Sequence, residues 1–239
     1  MIKEVNLDGR MVCYDLQRKG VKNVNLRIKA NCTVVVSANE TVSDETIEEF
    51  LREKSCYIRR ALEHYEELAR YAPKPKQYVD GESFRILGHD RRLRVVQGAS
   101  NEVTSDESYI VLSVRDCNDF ALKKRLVDRW IMGLCRDTVR ALCREVYPIF
   151  QKYGVEIPVL RFRNMVSRWG SCQPKRGILT FNYALVEAPV SCIEYVIVHE
   201  FVHFLHPNHS RLFYQQLSMF MPDFENRKRI LEKGHTWQV

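Results

Sequence analysis

The chain has 239 residues, 45% hydrophobic and 28% charged, with a net charge of +7. This profile is that of a soluble globular protein of one large domain or two small ones, and it excludes long disorder and fibrous repeats. No apolar run approaches the roughly eighteen residues of a membrane span, and the opening Met1-Ile2-Lys3-Glu4 turns polar at once, so neither a spanning helix nor a signal-peptide hydrophobic region is expected.

In chain order, segments 11–18, 24–29 and 32–37 are β-branched or alternating and read as strands, with turns at Gly9-Arg10 and Ala30-Asn31. A helix follows over 43–70. Ser43 can cap it, Asp44, Glu45, Glu48 and Glu49 favour its positive end, and Ile47, Phe50, Leu51, Ile58, Leu62, Tyr65 and Leu68 keep helical spacing until Pro73 and Pro75 stop it. Segments 77–97 and 108–114 read as further strands, with a loop over 98–107. A second long helix runs from 119 to 147, with Pro148 near its end. After it come a strand (159–165), a loop (170–177), a strand (178–182) and two helices. No internal repeat is legible. The fold class expected is α+β: a β-rich N-terminal region of antiparallel hairpins with one long helix (1–115), then a helical region with a small antiparallel sheet (116–239).

The positive charge is interspersed with acids, so it permits an acidic partner such as nucleic acid without demanding one. The eight cysteines contain no C-x-x-C pair, and with no secretory signal a reducing cytosol is the expected setting.

The chemistry is concentrated in Val196-Ile-Val-His199-Glu200-Phe-Val-His203-Phe-Leu-His206-Pro-Asn-His209-Ser210. Residues four apart share a helical face, so His199 and His203 can aim two imidazoles at one metal ion, and Glu200 can reach a metal-bound water without ligating. Apolar neighbours all round mark this helix as buried, and buried histidines need partners that an ion supplies. The third ligand favoured by spacing is His209, six residues after His203, where Pro207-Asn208 turns the chain back. His206 is the rival, on nearly the same face as the first two. It stands where the longer zincin pattern has Gly, so the turn is expected to differ. Glu225 and Glu232 are weaker choices. His64, His89 and His235 have no partner pattern and read as surface residues.

Arg168-Trp-Gly-Ser-Cys172, Gly177-Ile-Leu-Thr-Phe-Asn182, Ala188-Pro189, Ile193 through His203 and Asn208-His-Ser210 through Phe213 together resemble the YgjP-like family, zinc-dependent metallopeptidases remotely related to SprT-like proteases. The match is strongest over about 160–225 and weaker through Tyr78–Glu82 and Ile86–Gly88. Tyr214 stands where many relatives have Trp. The resemblance implies zinc at His199, His203 and His209, with Glu200 as the acid/base that activates a zinc-bound water for peptide hydrolysis.

Arg168, Tyr183, Tyr195 and Asn182 are candidates to assist the oxyanion, and Trp169 to line the substrate site. Cys172 could be a ligand or nucleophile, but reads more simply as part of a turn. Strand 178–182 could be the edge to which an extended peptide adds. Two other functions remain open: a DNA-associated protease of SprT-like type, and a non-catalytic zinc-containing binding protein whose site His206 would close as a fourth ligand.

Overall fold

A computed structural model describes residues 1–29, 31–70, 75–165 and 167–234. It divides into two compact units, Met1–Lys74 and Pro75–Trp237. Among the described residues no helix is long and apolar enough to cross a membrane.

The first unit opens with β1 (Ile2–Leu7), β2 (Arg10–Arg18), β3 (Asn25–Ile28) and β4 (Val34–Ala38), in the order β1-β2-β4-β3. Alternation along β1 and β2 turns Val5, Leu7, Val12, Tyr14 and Leu16 inward. Two helices cover that face: α1 (Asp44–Glu53) and α2 (Ser55–Arg70). Ser43 caps α1 by accepting the Thr46 N–H, as expected. The single helix expected over 43–70 breaks at Lys54, whose N–H still reaches the Phe50 carbonyl. Ile47, Leu51 and Ile58, all fully buried, keep one apolar stripe across the break.

The second unit begins with β5 (Ser83–Ile86), β6 (His89–Gln97), β7 (Glu102–Ser105) and β8 (Tyr109–Val114), in the order β5-β6-β8-β7. β7 falls where a loop was expected. The plan is that of the first sheet. In each, two antiparallel outer pairs flank a parallel central pair, so the expectation of hairpins alone holds only at the flanks. Each first hairpin closes with two positive-φ residues, Asp8-Gly9 (51° and 89°) and Leu87-Gly88 (51° and 86°). That conformation matches the right-handed strand twist of a two-residue hairpin. Each sheet also leads to a capped helix, at Ser43 after Ala38 and at Asp119 after Val114. The repeat is one of topology and turn type, which is why it cannot be read from side chains.

α3 (Phe120–Gln151) runs past Pro148 rather than stopping before it. Proline in the last turn removes one backbone bond where the ladder is already ending. β9 (Val159–Arg163), β10 (Gly170–Gln173) and β11 (Ile178–Asn182) form a third sheet, ordered β10-β11-β9. It is mixed, not antiparallel as expected: β10 runs antiparallel to β11, and β9 parallel. Asn182 explains the crossover between β9 and β10. It is 1% exposed, and its Nδ2 donates to the carbonyls of Met165 (2.8 Å) and Arg168 (2.9 Å), tying both residues to the end of β11.

Among the described residues three α-helices follow rather than two: α4 (Val190–Val202), α5 (Arg211–Phe220) and α6 (Phe224–Gly234). Phe84, Ile86 and Leu93 of the second sheet share one core with Val127 of α3, Phe181 of β11 and Val198 of α4. The second sheet therefore belongs with the helices, and the division expected near residue 115 lies instead before Pro75. The entry to α4 is held from two sides. Leu87 and Gly88 donate backbone N–H groups to the carbonyls of Val186 (2.6 Å) and Glu187 (3.2 Å). Arg227 of α6 donates to the Ser191 carbonyl (3.1 Å) and pairs with Glu194 and Asp223.

Candidate metal centre

His199 and Glu200 lie in the last turn of α4 and His203 caps its end. The N–H groups of Phe204, Leu205 and His206 bond back to Phe201 and Val202, and the chain then returns through Pro207-Asn208. His206 is not among the positive-φ residues, so this turn is made without a left-handed residue. Ser210 caps α5 by accepting the Phe213 N–H (3.4 Å), which sets His209 just before the helix.

The ring nitrogens of His199, His203 and His209 lie within 4.8 Å of one another, close enough that small rotations bring all three about one ion. His199 Nε2 is 2.9 Å from His209 Nε2. His203 Nδ1 is 3.2 Å from the His206 carbonyl, so donating its proton there leaves Nε2 as the free lone pair facing the cluster. The fully buried Phe213 ring packs against all three imidazoles, at 4.9, 4.7 and 4.8 Å between centroids, and fixes their planes.

Burial, followed by the neighbouring histidines, pushes His199 down to about 3, and burial also lowers His203. These imidazoles are neutral at ordinary pH, the state a ligand needs. Glu200 is 5% exposed, and burial raises its carboxyl to about 8, with Arg168 opposing the shift. Glu200 Oε2 and His199 Nδ1 are buried without a hydrogen-bond partner. Buried polar atoms without partners are uncommon and mark sites of function. Three imidazole nitrogen donors around one point, beside a buried carboxyl group with an unpartnered oxygen, fit a divalent cation.

A cleft of about 340 Å³ opens over this group, lined also by Arg168, Gly170, Ser171, Cys172 and Pro207. The other expected residues are distributed as follows. Arg168 is at the cleft. Trp169 packs against the core beside it. Tyr195 lies beneath, its ring 5.8 Å from that of His199, where it supports a ligand and does not line the cleft. Tyr183 is not brought to the cleft: its hydroxyl accepts from Arg136 of α3 (3.2 Å). Asn182 is committed to the crossover.

Among the described residues His206, Glu225 and Glu232 are outside the ligand group, so no fourth protein ligand closes the site. His64 and His89 are exposed, as expected, and His235 lies outside the described residues. Cys172 is in a strand, not a turn, paired with Leu179. Burial, then Glu200, pushes its thiol up to about 12, so it is no nucleophile. The expected peptide-docking edge also differs. β11 is central and buried along its whole length, and the edge strand at the cleft is β10.

Gly170 was missed as a functional residue. A Cβ there would stand 2.7 Å from Glu200 Cγ and Oε1, so only glycine lets β10 approach the carboxylate this closely. The sequence carries the signal as the glycine of Trp-Gly-Ser-Cys, but nothing local says what it faces.

The model of the YgjP-like, metallopeptidase domain family matches residues 22–234. No functionally curated protein matches the chain. Two solved structures bear a partial likeness. One is the metallopeptidase zymogen abylysin of Pyrococcus abyssi, 23% identical, covering 40% of this chain and 90% of that one, with a TM-score of 0.34. The other is the metallopeptidase zymogen jannalysin of Methanocaldococcus jannaschii, 21% identical, covering 40% and 95%, with a TM-score of 0.35.

Proposed function

This chain belongs to the YgjP-like family, by its metallopeptidase domain, and from that premise we propose that it is a zinc-dependent peptidase in which Glu200 activates the attacking water. The observation that carries the reading is the convergence of His199, His203 and His209 beside a buried, unpartnered carboxylate in one cleft. Three imidazoles without a fourth protein ligand are the donor set of a catalytic zinc. When bound, zinc lowers the pKa of a water and polarises the scissile carbonyl.

The remaining steps belong to the protein. Glu200, raised by burial, is poised near neutrality to take a proton from the attacking water and deliver it to the leaving amine. The Arg168 guanidinium at the rim favours negative charge developing in the cleft. The outer edge of β10, unpaired within its sheet, offers main-chain groups to an extended peptide, which would run along Gly170–Gln173 towards Glu200. The substrate class is peptide or unfolded protein. The eight free cysteines suit the reducing cytosol, where we place the enzyme.

Glu200→Gln tests the reading. The variant should keep about one zinc per chain by elemental mass spectrometry and lose peptide hydrolysis by roughly 10²–10⁴-fold. Undiminished turnover would remove Glu200 from the mechanism, and protein that takes up no zinc on titration would remove the metal centre.

A further inference from the structure

α3 carries seven cationic side chains and three acids. At about 100° per residue, Arg125, Arg129, Arg136, Arg140 and Arg144 fall within one sector of about 100°. Asp128, Asp137 and Glu145 all lie outside it, as do Lys123 and Lys124. Arg125, Arg129, Arg140 and Arg144 are exposed and Arg136 is half-buried. Among the described residues none of the five makes an ion pair, whereas Lys124 on another face pairs with Asp128. The Arg136 and Arg140 guanidiniums lie 6.0 and 5.9 Å from the rings of Tyr183 and Phe162, which brace them along the helix flank. β9 also exposes Arg161 and Arg163, on either side of Phe162.

A solvated helix face normally mixes signs, often as i,i+4 pairs. Here the charges are of a single sign and all of them are arginine. Arginine is chosen over lysine where planar, bidentate contact with phosphate matters. From Arg125 to Arg144 the row spans ~28 Å, at a rise of about 1.5 Å per residue. It meets a regular line of negative charge such as a duplex backbone, which carries one phosphate per ~1.7 Å of axis. Outside that sector α3 is buried in the core through Val127, Cys135 and Val139, so the helix cannot enter a groove. Contact is with phosphates and is indifferent to sequence.

We propose that the arginine row of α3 is a nucleic-acid-binding surface that grips the phosphate backbone. This does not rest on the peptidase reading, since none of its residues touches the metal centre.

The test uses the zinc-loaded full chain and a fluorescein-labelled 20-base-pair DNA duplex, read by anisotropy across a salt series. With about five phosphates neutralised, log Kd should rise by roughly 4.5 per tenfold increase in salt. The variant Arg129→Gln/Arg140→Gln/Arg144→Gln should lower that slope by about 2–3, with zinc content and melting temperature unchanged. No binding at low salt, a slope near zero, or a triple variant with the wild-type slope would each overturn the proposal. So would polyglutamate displacing the duplex at equal charge concentration, since that would assign the surface to acidic protein.

Discussion

Glu200 is an ordinary residue made unusual by its burial and by one neighbour that sequence order keeps thirty residues away. Burial removes water from its carboxylate, and Gly170 leaves the space it occupies. Gly170→Ala should therefore displace the carboxylate without unfolding the strand, because Gly170 has no positive φ and the Glu200 side chain can rotate away. A displacement near 1 Å at a reacting group costs about 100-fold in rate. The expected result is a fall of that order in kcat, with KM, zinc content and melting temperature near wild type; an unchanged kcat would show that the close approach is idle. His209 is the exposed member of the ligand group and the one supplied from beyond α4 and its cap. His209→Ala should leave the fold intact and sharply weaken zinc retention against a chelator. His206→Ala should leave retention near wild type, since its carbonyl and not its ring is engaged. The ligand pair and Glu200 were legible because four residues is one helical turn. The approach of Gly170 was not, because it is a contact between a strand and a helix about thirty residues apart.

The hairpin turns allow a test at the scale of elements. Gly9 and Gly88 hold nearly the same positive φ, so alanine at either carries the left-handed penalty of about 1–2 kcal/mol. Only at Gly88 would the new Cβ also meet Pro189, at 3.0 Å, at the entry to α4. Gly88→Ala should therefore destabilise its unit by about 1 kcal/mol more than Gly9→Ala destabilises the other, measured by urea denaturation of each variant. Equal losses would show that the turn does not brace α4. The sequence marked 43–70 as helix and 119–147 as helix through apolar spacing. It could not mark the break at Lys54, where the stripe of Ile47, Leu51 and Ile58 continues through the bend.

At the scale of the molecule, two buried groups of the centre pull stability in opposite directions with pH. His199 has its folded value lowered from 6.5 to about 3, so the unfolded chain binds the extra proton and stability falls as pH drops below 6.5. Glu200 has its folded value raised from 4.5 to about 8, so the folded chain holds the extra proton and stability falls as pH rises from 4.5 towards 8. Protein stripped of metal by a chelator should melt highest between about pH 4.5 and 6.5, where the slopes oppose, and lower on either side. Zinc should raise the melting temperature most near pH 8, because its ligands must be neutral and a cation favours the Glu200 carboxylate. A melting temperature of the stripped protein that climbs steadily from pH 6.5 to 8 would contradict the buried environment assigned to Glu200.

Local periodicity alone determined most of the helices, several strands and the metal-binding segment, since helix spacing, capping and the His-Glu-x-x-His turn are all encoded within a few residues. Tertiary structure decided what depends on partners distant in the chain. β10 and not β11 is the edge at the cleft, because hydrogen-bond order in a sheet is a property of three strands together. Tyr183 braces an arginine of α3 and is absent from the cleft, because side-chain direction follows packing and not motif proximity. The parallel centre of each four-stranded sheet, and the plan the two sheets share, come from pairing across the chain. No spacing rule within a single segment contains that information.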